Sequence, residues 1–314
     1  MHPATLVEFS LFLEQELILN TIGAWDRAAA ECWADIGGIQ VRYLDWGGQG
    51  KPVILLHGLA SSANWYDLVA PHLRNDYRVI APDQRGHGQT TQAGSGYDWG
   101  TLTKDVVGLM DELALAKAAV FGHSWGANVA LNVAARAPDR VYALGLIDGG
   151  TSRGSGARES WEEVRARARP RNISGTREEF LDRLRTQLSF CWSDQVERIV
   201  QTMVYEDGEG AMQDILRPEN HIQVMRAMWE EPASLAYPNI LCPTVIIPAG
   251  PAPQQTGSER ALVKQERVAA AEQAIKNSRV RWIPETVHDI GYHKPEELAQ
   301  VIREFLDESF QSSV

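Results

Sequence analysis

The segment Val120-Phe121-Gly122-His123-Ser124-Trp125-Gly126 constrains this chain more than any other stretch. It places a G-x-S-x-G pattern directly after an apolar run and directly before alanine-rich sequence, which predicts a serine on a tight strand-to-helix turn. Glycines flanking the serine at a distance of two suit a turn in which backbones approach too closely for side chains. The helix that follows would aim its N-terminus, and the Trp125 amide, at negative charge developing beside Ser124.

The surrounding pattern agrees with that turn. Apolar runs at Val53 to Leu56, Arg78 to Ala81, Ala118 to Phe121 and Val141 to Ile147 alternate with helical stretches at Trp65 to Leu73, Leu102 to Leu115 and Ala127 to Ala137. This predicts an α/β fold with a mostly parallel sheet covered on both faces. Earlier, Ile39, Val41 and Tyr43 alternate with their neighbours and run into Gly47-Gly48, an antiparallel strand with a turn. Strands resume at Thr244 to Ile247 and Val280 to Ile283, separated by a helix from Glu259 to Lys276 and followed by one from Pro295 to Phe310. Between the halves, residues 151–239 show no strand signal and are expected to form an inserted helical cap. Residues 1–35 are expected as an N-terminal helical extension, leaving 36–150 and 240–314 as the core.

Composition narrows the partners. A chain of 314 residues, 44% apolar and 23% charged, can bury one large core with an insertion. Its 30 basic and 41 acidic side chains give a formal charge of −11, which excludes nucleic acid and anionic membranes as expected partners. Cys32, Cys191 and Cys242 are widely separated and form no CxxC pair, so neither a disulfide framework nor a zinc site is expected. Glu14 and Glu16 interrupt the apolar stretch from Leu11 to Ile22, which argues against a signal peptide or membrane span and for a cytoplasmic protein.

Two further turns carry a resemblance. Val53-Ile54-Leu55-Leu56-His57-Gly58-Leu59 ends a strand in a His-Gly turn, where the Leu59 amide would serve as a second oxyanion donor beside that of Trp125. Asp83-Gln84-Arg85-Gly86-His87-Gly88 matches a D-x-R-G-x-G turn. With the serine motif, these make residues 36 to 314 resemble the α/β-hydrolases, whose esterases, dehalogenases and epoxide hydrolases share that turn. His57 is read as a structural hydrogen-bonder bracing the oxyanion loop, and Asp83 with Arg85 as an internal ion pair fixing a turn.

The resemblance implies the chain order nucleophile, acid, histidine. His288, in the loop Pro284-Glu285-Thr286-Val287-His288-Asp289 after the last strand, fits the base; His293, His221 and His72 are read as structural or exposed. The acid departs from the commonest pattern, because Pro248-Ala249-Gly250-Pro251-Ala252-Pro253-Gln254-Gln255 holds no carboxylate where a G-x-x-D turn is expected. Asp148, ending the preceding strand, is the chosen acid, at the superfamily's alternative position, with Glu259 in reserve. Adjacent strand ends lie about 5 Å apart, so either place can orient an imidazole.

Dehalogenases and epoxide hydrolases of this fold use an aspartate nucleophile, so Ser124 favours acyl transfer, with no metal or cofactor required. The expected reaction is hydrolysis of a small apolar or aromatic ester or lactone. Trp65, Trp192 and Trp229 are candidate pocket-lining residues; the other large cap side chains, Trp161, Phe190, Met203, Tyr205, Met225 and Met228, could add to an apolar wall, but most are expected to serve the cap's own core. The run Arg165, Arg167, Arg169, Arg171 is read as a solvated helix face. A proline iminopeptidase, a carbon-carbon bond hydrolase, a cofactor-free perhydrolase and a triad-retaining ligand receptor with slow turnover remain open, as does a homodimer through the N-terminal extension or the cap.

Overall fold

The computed structural model describes residues 29–152, 159–167, 173, 175–251 and 256–311. Its strands are β1 (Ala30–Ile36), β2 (Ile39–Gly47), β3 (Pro52–Leu56), β4 (Arg78–Pro82), β5 (Ala118–His123), β6 (Val141–Ile147), β7 (Val204–Glu206), β8 (Met212–Asp214), β9 (Thr244–Ile247) and β10 (Ser278–Val280). Its helices are α1 (Trp99–Glu112), α2 (Trp125–Arg136), α3 (Trp161–Arg167), α4 (Arg177–Gln187), α5 (Asp194–Gln201), α6 (Pro218–Glu230), α7 (Glu259–Ala274), α8 (Ile290–His293) and α9 (Pro295–Gln311).

Eight strands form one sheet in the order β1-β2-β4-β3-β5-β6-β9-β10. The pairs β1 with β2 and β2 with β4 are antiparallel, and the rest are parallel. The apolar runs are continuous because both faces are buried. Val53, Leu55, Ala119 and Phe121 enter one core cluster, while Ile54, Leu56, Ala118 and Val120 enter the other. Alternate side chains leave a strand on opposite faces, so a doubly covered sheet has no position for a polar residue. Each fully buried Val, Leu or Ile contributes ~1.5–3 kcal/mol of transfer free energy. On α2, Ala127, Ala130 and Ala134 are buried, and their small size lets the helix lie close against the sheet.

The strand order places the site. β3 lies between β4 and β5, so the chain's direction of travel across the sheet reverses there. In open α/β sheets such a reversal leaves a crevice at the carboxyl ends of the two strands. Leu59 follows β3 and Ser124 follows β5.

Several expectations need correction. Residues 30–35 are not part of a helical extension: they form most of β1, where Cys32, Ala34 and Ile36 turn inward while Trp33 and Asp35 are exposed. That two-residue alternation is a strand signal, and it moves the start of the core to about residue 30; the rest of the predicted extension, residues 1–28, lies outside the described residues. The stretch from Trp65 to Leu73 forms two short 3₁₀ turns, Ala63–Tyr66 and Ala70–His72, because Pro71 has no amide to donate to a continuing helix.

Residues 151–239 are not wholly helical. β7 and β8 form a hairpin whose turn is fixed by the Asp207 carboxylate, accepting from the Glu209 and Ala211 amides, and by Gly210 at φ +82°. Phe180, Val196 and Ile199 of this insertion join one core cluster, and Leu216 and Val224 the other. The last strand begins two residues earlier than expected. It continues irregularly, with the Arg281 and Ile283 amides donating to the Ile246 and Pro248 carbonyls.

Asp83 and Arg85 do not pair with each other. The fully buried Asp83 accepts from Arg42 at 2.9 Å and from the Ala63 and Gln89 amides, while Arg85 makes two 2.8 Å bonds to Asp105. Asp83 leaves β4 beside β2, its amide donating to the Arg42 carbonyl, and so meets the Arg42 side chain; Arg85 has by then turned toward α1. Among the described residues no helix is long and apolar enough to cross a membrane.

Candidate active site

Ser124 sits between β5 and α2 at φ 54°, ψ −117°, a backbone conformation that L-residues adopt only under strain. The two motif glycines make it attainable. A Cβ at Gly122 would lie 2.0 Å from the Gly126 carbonyl oxygen, and one at Gly126 would lie 2.3 Å from that of Leu56. The Ser124 amide donates to the Ile147 carbonyl at 2.9 Å, tying the turn to the end of β6.

The next residue along β6 is Asp148, whose own amide donates to Ile247 of β9 at 2.9 Å. Register thus sets serine and carboxylate on neighbouring strand ends. His288 bridges them: its Nε2 lies 2.9 Å from Ser124 Oγ and its Nδ1 lies 2.7 Å from Asp148 Oδ2. An imidazole held so, Nδ1–H toward a carboxylate and Nε2 toward a hydroxyl, has the tautomer that accepts the hydroxyl proton.

A lysine joins this chain. Lys264 of α7 donates to both Asp148 oxygens, at 2.8 and 3.1 Å, and to the Ala249 carbonyl at 3.2 Å, while Asp148 Oδ1 also accepts the Ala249 amide at 2.9 Å. Burial alone would raise the Asp148 pKa, but the hydrogen bond from His288 and the charge of Lys264 outweigh it and hold the carboxyl at about 2. For His288, loss of solvent disfavours the cation, yet the hydrogen bond and charge of Asp148 prevail and raise its pKa above the ordinary 6.5; Lys264 pulls the other way.

The His288 loop is braced from behind. His123 donates from Nε2 to the His288 carbonyl at 2.9 Å and stacks on Trp65, with ring centroids 4.1 Å apart, and Trp65 Nε1 donates to Asp289 at 3.1 Å. Burial, followed by the nearby His288, pushes His123 down to about 4, so the ring stays neutral. His57 behaves as expected. Its Nδ1 donates to the Gly58 carbonyl at 2.8 Å, its Nε2 accepts the Gln84 amide at 3.0 Å, and burial lowers its pKa to about 4.

A cavity of about 850 Å³ opens on Ser124 and His288. Leu59 and Trp125 line it beside Ser124, the insertion contributes Met225 and Met228, and α7 contributes Arg260, Lys264 and Arg267.

A family model described as the alpha/beta hydrolase fold matches residues 51–204, from β3 through α5, a span that includes the serine turn, and the mostly parallel sheet is consistent with that fold. The chain has the α/β-hydrolase fold. It is 42% identical over 115 residues to a dihydrolipoyllysine-residue acetyltransferase component of an acetoin cleaving system from Pseudomonas putida, a match covering 36% of this chain and 31% of that one. The chain spans about a third of the length of the curated relatives it matches. Among solved structures, E-2-(acetamidomethylene)succinate hydrolase superposes with a TM-score of 0.71 at 22% identity, covering 89% of this chain and 99% of that one. A thermophilic esterase from Thermogutta terrifontis superposes with a TM-score of 0.66 at 25% identity, covering 90% and 99%.

Within this fold the structure brings Ser124, His288, Asp148, Leu59 and Trp125 to one cavity. It does not bring Trp65, Trp192 or Trp229 there. Trp65 is 1% exposed and braces the His288 loop; Trp192 packs beside a core cluster and under Arg185; Trp229 donates to the Glu159 carbonyl and packs with Trp161 and Arg226. Among the described lining residues the only aromatic apart from His288 is Trp125, so the expectation of an aromatic wall gives way to one of thioether and guanidinium groups. Glu259 faces the cavity too but makes no bond to His288, whose carboxylate partner is Asp148. Of the arginine run, Arg165 is exposed, and Arg169 and Arg171 lie outside the described residues.

Sequence reasoning missed Lys264 and Arg267. Their spacing from Arg260, four residues and then three more, puts all three on one helical face, the signal that was available.

Proposed function

We propose that this protein is a serine hydrolase that cleaves a carboxylic ester or lactone through an acyl-enzyme on Ser124. The observation that carries this is the unbroken hydrogen-bonded chain from Ser124 Oγ through His288 to Asp148. In the reaction, Ser124 Oγ attacks the acyl carbon as its proton passes to His288 Nε2. The Leu59 and Trp125 amides hold the tetrahedral oxyanion, and the His288 proton moves to the departing alkoxide. Water, deprotonated by the same imidazole, then attacks the acyl carbon and releases the acid and free Ser124.

Asp148 stabilises the imidazolium formed in each half-reaction, and Lys264 moderates that stabilisation by sharing the carboxylate. An aspartate nucleophile would be needed for epoxide opening or dehalogenation by the superfamily's route, and Ser124 stands in that place. The esterase among the structural neighbours supports a reading as ester hydrolysis.

The pH dependence tests the base. His288 must be neutral to accept a proton, and its pKa is raised, so kcat/KM for p-nitrophenyl butyrate is expected to rise with pH and level off through a midpoint above 6.5. Lys264→Met removes the charge that lowers the His288 pKa, so the midpoint is expected to move to higher pH. A rate independent of pH across this range, or a midpoint moving lower in the variant, contradicts the assignment.

A further inference from the structure

The wall facing Ser124 carries two cations that no carboxylate matches among the described residues. Arg260, Lys264 and Arg267 line the cavity from one face of α7. Lys264 is committed, its three protons directed at Asp148 and the Ala249 carbonyl. The two arginines are not. Neither has a carboxylate partner among the described residues, and the Nε of Arg267 is buried without any hydrogen-bond acceptor. A buried, unmatched guanidinium N–H costs free energy in the empty protein, and that cost is relieved when an acceptor arrives.

The acidic groups on the same cavity do not supply it. Asp148 is bonded to His288 and Lys264, and Glu231 pairs outward with Arg136 at 2.5 Å. Glu259 is exposed at the first turn of α7, next in sequence to Arg260 and two helical turns from Arg267. Arg267 lies one turn beyond Lys264, which itself touches the acid of the triad, so a group held by Arg267 is within a small molecule's length of Ser124. Guanidinium groups bind planar carboxylates through paired N–H bonds.

We infer that Arg267, assisted by Arg260, forms a carboxylate-binding subsite, so that the natural substrate carries a free carboxylate in addition to the acyl bond that is cut. This rests on the proposed hydrolysis and names its substrate class. With a carboxylate seated on α7 and the scissile carbonyl at Ser124, substrate charge would be spent on orientation, and neutral esters would be the poorer substrates.

The test compares matched esters on wild-type enzyme, Arg267→Met, Arg267→Lys and Arg260→Met. Mono-p-nitrophenyl glutarate carries the carboxylate on the acyl chain and is set against p-nitrophenyl butyrate; para-acetoxybenzoate carries it on the leaving group and is set against phenyl acetate. In the wild type, kcat/KM for one of the half-esters is expected to exceed that of its neutral counterpart by roughly 10- to 100-fold. Arg267→Met is expected to collapse that ratio, Arg267→Lys to restore part of it, and Arg260→Met to reduce it less.

Turnover of all four esters with ratios that the Arg267 variants leave unchanged overturns the subsite while hydrolysis stands. No turnover of any ester overturns the proposed hydrolysis. In that case, calorimetric binding of glutarate by wild-type protein, weakened in Arg267→Met, upholds the subsite, and equal or absent binding in both overturns it.

Discussion

Replacing Ser124 with alanine is expected to lower kcat toward p-nitrophenyl esters by about 10⁶-fold, the scale on which a serine hydrolase loses its nucleophile. The structure allows this loss to be separated from unfolding. Ser124 occupies φ 54°, and its side chain makes its hydrogen bond to an exposed imidazole. Alanine faces the same backbone strain as serine and leaves no buried polar group unmatched, so Tm is expected to change little. A second substitution, His288→Ala in the Ser124→Ala background, is expected to add little further loss, because the two side chains act as one unit. Retention of more than a few per cent of wild-type kcat in Ser124→Ala, checked by steady-state kinetics beside Tm, would point to another nucleophile.

Asp148→Asn is expected to lower kcat by about 10³- to 10⁴-fold, since an amide can present its NH₂ to Nδ1 and stabilise the wrong imidazole tautomer. This variant has two further signatures. The residual activity should titrate at lower pH than the wild type, because removing Asp148 takes away the hydrogen bond and the stronger charge that raise the His288 pKa and leaves desolvation, the largest influence, and Lys264 lowering it against Asp289 alone. Stability should also fall, because Lys264 loses its counter-charge. The Asp148 side chain is 4% exposed but that of Lys264 is 33% exposed and can turn toward water. The loss should therefore be about 2 kcal/mol, below the ~3–5 kcal/mol for breaking a fully buried pair. Glu259→Gln is the control, expected to leave the rate near wild type on neutral esters. A near-wild-type rate for Asp148→Asn, with loss in Glu259→Gln, would reverse the assignment of the acid.

Which parts of this were legible in the sequence follows from the range of the interactions. Apolar runs such as Val53 to Leu56 and Ala118 to Phe121 announce buried parallel strands because burial on both faces leaves no polar positions. The serine turn was legible because its glycines answer a local steric demand at Leu56 and Gly126. The meeting of Asp148 with His288 could be anticipated because no carboxylate follows β9 through Gly250, and strand ends are neighbours.

Features that depend on distant partners were hidden. Lys264 lies on an amphipathic helix, where a charged residue reads as solvated until the position of β6 is known. Trp65 read as a pocket wall because nothing local reveals its bond to Asp289, 224 residues away. Asp83 finds Arg42 through the antiparallel pairing of β2 with β4, a contact that sequence proximity to Arg85 obscured. The β7–β8 hairpin escaped because each strand has three residues, too few for a two-residue alternation to register.

The central claim is that Ser124 is the group that becomes acylated, and a fluorophosphonate tests it most directly, because the adduct mimics the tetrahedral intermediate and resists hydrolysis. Peptide mass spectrometry of the reacted protein should find one label per chain, on the peptide containing Ser124, with ester turnover abolished in proportion to labelling and no label on Ser124→Ala. A label on another residue, or a fully labelled protein that still hydrolyses esters at the wild-type rate, would contradict the account.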